Sequence, residues 1–204
     1  TADVDSDNIT NIFAWYKDGI LNSTSINIHD EGLIAYWPFD NGVKDYKANL
    51  DGVINGNPKL NHTVSVLGEG SYFFDGSGDY ILVGDEPGLE TMPALTISVW
   101  IQTTTTGTNK GIIEKAYTGT SSYNLRMGAD AGYIEFRSYA DTDALSTIST
   151  FTINDGKWHY ITGTYNGSNQ TLYVDGSYQD SKSQSGPIDN SEEEFTAKLI
   201  TLKD

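Results

Sequence analysis

Asp40, Asp75 and Asp79 are the side chains whose type and setting could hold a metal ion. They stand in or close to turn sequences, Asp40-Asn41-Gly42 and Asp75-Gly76-Ser77-Gly78-Asp79. A calcium ion takes about six to eight oxygens, many of them carboxylates and carbonyls from loops of this kind. The same residues also serve ordinary turns, because a short Asp side chain accepts hydrogen bonds from nearby backbone amides. One calcium site using some of these three carboxylates is the expectation, with Asp45 and Asp51 in the same loop as Asp40.

Tyrosine offers a second chemistry, since a ring with one polar end stacks on a sugar and still faces water. Tyr117 and Tyr139 lie in polar, loop-edge contexts and are the expected ligand-binding rings, whereas Trp37, Trp100 and Trp158 lie in apolar runs and are expected in the core. His29, His62 and His159 are isolated, with no zinc spacing and no Ser/His/Asp arrangement. Glu135 has no acidic partner two or three residues away on its strand, so the paired carboxylates of retaining glycoside hydrolysis are missing there. No catalysis is expected. Five Asn-x-Ser/Thr sequons begin at Asn8, Asn22, Asn61, Asn166 and Asn169. All fall in expected loops or extensions, where an N-linked glycan projects without cost to a core.

The elements that must position these residues have period two. Asp79 to Val83, Leu95 to Ile101, Tyr133 to Tyr139, Tyr160 to Tyr165 and Thr171 to Asp175 are short runs rich in Val, Ile, Thr, Tyr and Trp. In the second run Ile97, Val99 and Ile101 share one face, and Thr96, Ser98 and Trp100 share the other. Turn dipeptides such as Asn55-Gly56, Asp155-Gly156 and Asp175-Gly176 separate the runs. No amphipathic helix is expected. Residues 1–31 read as an extension with a hairpin, Ile12 to Lys17, an Asp18-Gly19 turn, then Ile20 onwards, serving as a strap, a donor strand or a remnant that resembles immunoglobulin-like modules. Residues 32–204 form the main unit, opening on a strand at Gly32 to Trp37, and Asp180 to Glu194 reads as a solvated loop.

Three stretches in one order carry a resemblance: Gly32 to Asp40; Tyr72 to Ile81 with Leu95 to Ile101; and Asn154 to Gly167 with Leu172-Tyr173-Val174-Asp175-Gly176. The series resembles the laminin-G-like jelly-roll family, within the concanavalin A-like lectin and glucanase superfamily. The resemblance implies an all-β, antiparallel two-sheet jelly-roll sandwich, here with an N-terminal strand or hairpin extension. It also implies an extracellular module that binds glycans or proteins, often with a calcium ion at its rim. The family's usual closing strand is not matched before Asp204, so an open sheet edge is expected that something must cover.

Composition narrows the partners. The 204 residues carry 28 acidic and 12 basic side chains, a formal charge of −16, and no cysteine. Too few cations are present to displace counterions from a phosphate backbone, which excludes nucleic acid as a general partner. Thiolate metal sites and disulfides are excluded outright, and no apolar run approaches the roughly 20 residues of a membrane-spanning helix. The expectation is a non-catalytic extracellular recognition or adhesion module that binds a glycan or a cell-surface protein. The alternatives are a structural subunit of a cell-surface filament or layer, self-assembling by strand addition at the open edge, and, third, a glycan-active enzyme.

Overall fold

The computed structural model describes residues 16–17, 20–21, 32–84, 92–117, 120–140 and 143–188. Its strands are β1 (Tyr16–Lys17), β2 (Ile20–Leu21), β3 (Gly52–Asn55), β4 (Lys59–Asn61), β5 (Ser71–Phe73), β6 (Tyr80–Val83) and β7 (Leu95–Gln102), followed by β8 (Gly111–Tyr117), β9 (Thr120–Met127), β10 (Ile134–Ala140), β11 (Asp143–Ile148), β12 (Trp158–Tyr165), β13 (Asn169–Val174) and β14 (Ser177–Ser183). Two four-stranded antiparallel sheets, ordered β11-β10-β9-β8 and β14-β13-β12-β7, make the all-β jelly-roll sandwich, and β1-β2, β3-β6 and β4-β5 form two-stranded ribbons.

Alternation along the strands decides what goes inside. In β12 the buried residues are His159, Ile161, Gly163 and Tyr165, every second position. Facing them, β9 and β10 contribute Leu125, Met127, Ile134 and Phe136, each with no measurable exposure. Gly163 sits under the Phe136 ring, where an added Cβ would lie 2.6 to 2.8 Å from three ring atoms. One buried polar group ties the two sheets together. The Gln170 side-chain amide, on β13, donates to the Phe136 carbonyl at 2.8 Å and to the Thr147 hydroxyl at 3.0 Å. Its carbonyl accepts from the Ser138 hydroxyl at 2.6 Å, so its donors and acceptor are all used.

The sandwich is closed along one edge and, among the described residues, open along the other. Between β11 and β14, the amide of Ile148 donates to Asp180 at 3.2 Å, and the Thr150 amide donates to Gln179 at 3.0 Å. At the opposite edge lies a groove of about 1070 Å³, lined by Gly32 to Phe39, by β7, and by Ile113 and Tyr123. On that side β7 has no ladder partner among the described residues.

Two elements differ from the sequence reading. Gly32 to Trp37 forms no strand, because its polar groups are held by a loop rather than a ladder: the Tyr36 amide donates to Asp45 and the Trp37 indole to the Leu50 carbonyl. Asp180 to Ser183 belongs to β14 rather than to a loop. An edge strand needs a partner on one side only, so its Ser, Asp and Lys side chains stay solvated while Gln179 turns inward. Tyr117 closes strand β8 and Tyr139 is the next-to-last residue of β10, so both stand at strand ends.

Candidate functional site

The outer face of the β14-β13-β12-β7 sheet carries a row of rings. Residues directly opposite in antiparallel strands share a face, so Trp100 stands beside Tyr160 and Tyr178 beside Tyr173. The Trp100 and Tyr160 ring centroids are 5.0 Å apart with the planes tilted by 36°, and the Tyr173 and Tyr178 centroids are 6.3 Å apart and edge-on. Thr162 lies opposite Tyr173 and joins the two pairs into one line across four strands. At about 4.8 Å per strand the row spans roughly 14 Å, room for a short oligosaccharide. Trp100 is 37% exposed and Tyr178 62%. Beside the rings run hydroxyls, with Thr96 opposite Thr164 and Thr171 opposite Ser181.

Trp100 is therefore a surface residue and not the core residue expected from its apolar run. The signal was present in the alternation, which already set Trp100 with Thr96 and Ser98 on the polar face. Trp37 does pack against the core, and Trp158 is half-buried. Contiguous aromatic surface on a soluble domain marks a contact site, because leaving it in water forgoes burial.

One end of the row is pinned by a charged cluster. The two ring nitrogens of His159 lie 2.7 Å from Asp175 Oδ2 and 3.1 Å from Asp155 Oδ1, so both partners are carboxylates and the protonated ring donates to each. Asp175 also accepts the Tyr160 amide at 2.8 Å, and it stands at positive φ with Gly176 in the β13–β14 turn. Burial disfavours the charged ring, but the hydrogen bonds it donates to Asp175 and then Asp155 outweigh it, and the pKa is raised. A raised folded-state pKa gives stability that is complete below the unfolded pKa of about 6.5 and lost as pH rises through the folded value. The melting-temperature difference between the wild type and His159→Gln should therefore be largest at about pH 5 and shrink steadily above pH 7.

The acidic turns are occupied by backbone. Asp79 is buried and accepts the amides of Asn57 at 2.6 Å and Asp75 at 3.1 Å. Asp75 is exposed and accepts the Ser77 amide, while Asp40 accepts the Glu69 amide in a different loop. The structure thus brings Asp75 and Asp79 together and leaves Asp40 apart. Among the described residues no group of three or more acidic or histidine side chains is gathered to hold a metal.

Tyr139 lies on the outer face of the other sheet, with the Arg137 guanidinium 5.4 Å from its ring centroid. The side chain of Tyr117 lies outside the described residues. Glu135, on the same face, is held by Arg126, whose Nε and Nη2 lie 2.7 and 2.6 Å from Oε2. Of the sequons, Asn166 and Asn169 are exposed and Asn61 is half-buried. Asn61 ends β4 and Asn169 begins β13, at strand ends rather than in loops, and Asn8 and Asn22 lie outside the described residues. No helix among the described residues is long and apolar enough to cross a membrane.

Comparison with known proteins follows the fold. Residues 75–198, more than half of the chain, match a laminin-G model described as concanavalin A-like lectin/glucanases superfamily. Domain 4 of AbnA, an extracellular family-43 arabinanase from Geobacillus stearothermophilus, solved in complex with arabinotriose, superposes with a TM-score of 0.67 at 15% identity, covering 83% of this chain and 84% of that one. The binding domain of botulinum neurotoxin DC in complex with SialylT superposes with a TM-score of 0.59 at 15% identity. That match covers 82% of this chain and 43% of the other, so this chain spans less than half of its length. At these identities the likeness is one of fold. No curated protein matches the sequence.

Proposed function

The chain belongs to the concanavalin A-like lectin/glucanases superfamily, and from that premise we propose that it is a non-catalytic glycan-binding module of an extracellular protein, holding its ligand on the Trp100–Tyr160–Tyr173–Tyr178 row. The observation that carries the reading is the line of four rings across four strands, exposed at its ends on Trp100 and Tyr178, half-buried at Tyr160 and Tyr173, and flanked by hydroxyls. Aromatic faces stack on the C–H faces of sugar rings, and neighbouring hydroxyls exchange hydrogen bonds with the sugar's own. Two structural neighbours, one solved with arabinotriose and one with SialylT, support the choice of ligand class. Catalysis is not part of the reading. Glu135, the strand carboxylate weighed for hydrolysis, is engaged by Arg126 rather than set beside a second carboxylate.

Trp100→Ala and Tyr178→Ala should each weaken glycan binding by about 10-fold, the loss of roughly 1–2 kcal/mol of stacking per ring. Affinity electrophoresis through neutral polysaccharides reads this directly, and unchanged retention of both variants would contradict it. A calcium ion held by some of Asp40, Asp75 and Asp79, together with loop carbonyls, belongs to the proposal; a chelator should then lower the melting temperature of the same samples. N-linked glycans on Asn8, Asn22, Asn61, Asn166 and Asn169 are part of the same extracellular reading.

A second reading rests on a separate observation. Among the described residues β7 has no partner on its outer side, and that side with the apolar groove beside it suits an added strand, so a surface protein partner or another copy of the chain could complete the sheet there. Assembly of this kind would appear as oligomers that a Pro within β7 abolishes.

A further inference from the structure

His159 is gripped from two sides. Its two ring nitrogens face carboxylates of different turns, Asp175 at 2.7 Å and Asp155 at 3.1 Å. Only the protonated imidazole has a donor for each of them. The neutral ring keeps one N–H and turns a lone pair toward the other carboxylate. Asp175 comes from the β13–β14 turn, and Asp155, with Lys157 at 2.9 Å, from the turn before β12. The residue opposite on β7 is the apolar Ile101. Hydrogen bonds from Lys157 and then His159 hold the Asp155 carboxyl below the usual carboxylate range, so it is ionised wherever the ring titrates.

The same two carboxylates anchor one end of the aromatic row. Asp175 Oδ1 accepts the Tyr160 amide at 2.8 Å, and the Asp175 amide donates to the Tyr160 carbonyl at 2.8 Å. Tyr160 is thus fixed through both backbone groups by the residue that His159 holds. Asp155 opens the turn whose Gly156 carbonyl accepts the Gln102 side-chain amide at 2.7 Å, and Gln102 shares the outer face of β7 with Trp100. We propose that the proton on His159 regulates ligand binding on the row, tight while the ring is charged and weaker once it is neutral. The inference rests on the glycan reading and adds its regulation. Loss of the proton repels one carboxylate, and either one loosens the Trp100–Tyr160 end, whose ring centroids are 5.0 Å apart. His159 is a positioning residue, acting through Asp175 and Asp155 and touching no ligand. Burial works against the charged ring and the two hydrogen bonds outweigh it, which puts the change above the ordinary value of about 6.5.

Affinity electrophoresis of the whole chain through a panel of neutral polysaccharides, run at about pH 5.5 and about pH 8.5, brackets the titration. Dissociation constants should be about 5-fold weaker at the higher pH, a coupling at the low end of the usual range. His159→Gln should show the weaker binding at both pH values. His29 and His62 titrate in the same window, so the His29→Gln/His62→Gln protein should keep the pH profile of the wild type. Linkage is reciprocal, so a saturating saccharide should raise the midpoint of the His159 titration, followed by NMR, by about 0.7, the logarithm of the same factor. Equal retention of the wild type at both pH values would overturn the inference and leave the glycan reading standing. So would a His159→Gln protein that keeps the wild-type pH profile, the pattern of a histidine with a structural role alone. A chain that no polysaccharide retains at either pH would remove the glycan reading itself and the inference with it.

Discussion

Asp45→Ala should cost about 3 kcal/mol of stability, because one carboxylate organises the whole loop from Tyr36 to Leu50. Asp45 is 2% exposed, and its Oδ1 accepts the amides of Tyr36 at 2.7 Å and Lys47 at 3.0 Å. Its Oδ2 accepts those of Ala48 at 2.7 Å and Leu50 at 3.0 Å. No alanine conformation replaces four acceptor contacts, and amides stranded away from water carry the penalty. The loop also fixes Trp37, whose indole donates to the Leu50 carbonyl at 2.8 Å and which forms part of the groove wall. Burial raises the Asp45 pKa, but the four amide hydrogen bonds outweigh it and the net shift is downward. A depressed folded pKa means that the stabilisation is present above the unfolded value of about 3.8 and disappears as pH falls through the folded one. Urea midpoints of the wild type and Asp45→Ala should differ most near neutrality and converge in acid. Equal separation at every pH would show that the carboxylate's charge is irrelevant.

Gly163→Val should destabilise the sandwich by about 3 kcal/mol or more, through overpacking alone. A Cβ there would sit 2.6 to 2.8 Å from three atoms of the Phe136 ring, and real Cβ contacts do not come so close. Phe136 has no measurable exposure and belongs to the same buried cluster as Leu125, Ile134 and Ile161, so the ring has little space to yield. Phe136→Leu should cost stability by itself and yet partly rescue Gly163→Val, leaving the pair non-additive by about 1 kcal/mol or more. Additive losses from denaturant melts would mean that the two residues do not meet.

Much of the scaffold was legible in the sequence, because alternation of Ile, Val and Tyr with Thr and Ser is a direct image of a half-buried strand. Asp175-Gly176 marks its turn for a similar reason, as both residues adopt positive φ there. Strand β14 was hidden by its polar composition, since an edge strand needs little apolar surface. Gly32 to Trp37 misled in the opposite way. Its apolar alternation suits a strand, but Asp45 and Leu50 claim its polar groups through contacts 9 and 13 residues away in the chain.

The site was harder to read than the fold. Trp100 alternates with Thr96 and Ser98, so its outward direction was visible. What it meets was not, because Tyr160, Tyr173 and Tyr178 join it only through the registers of three ladders. Tyr139 was selected for its polar context, and it does reach the surface, but on the other sheet and under a guanidinium.

The most direct test of glycan binding on the aromatic row is retention of the chain on immobilised neutral polysaccharides, compared between the wild type and Trp100→Ala/Tyr178→Ala. Retention of the wild type on at least one polysaccharide, lost in the double variant at an unchanged melting temperature, is the predicted result. A wild type that no glycan retains, or a double variant held as firmly as the wild type, would contradict it.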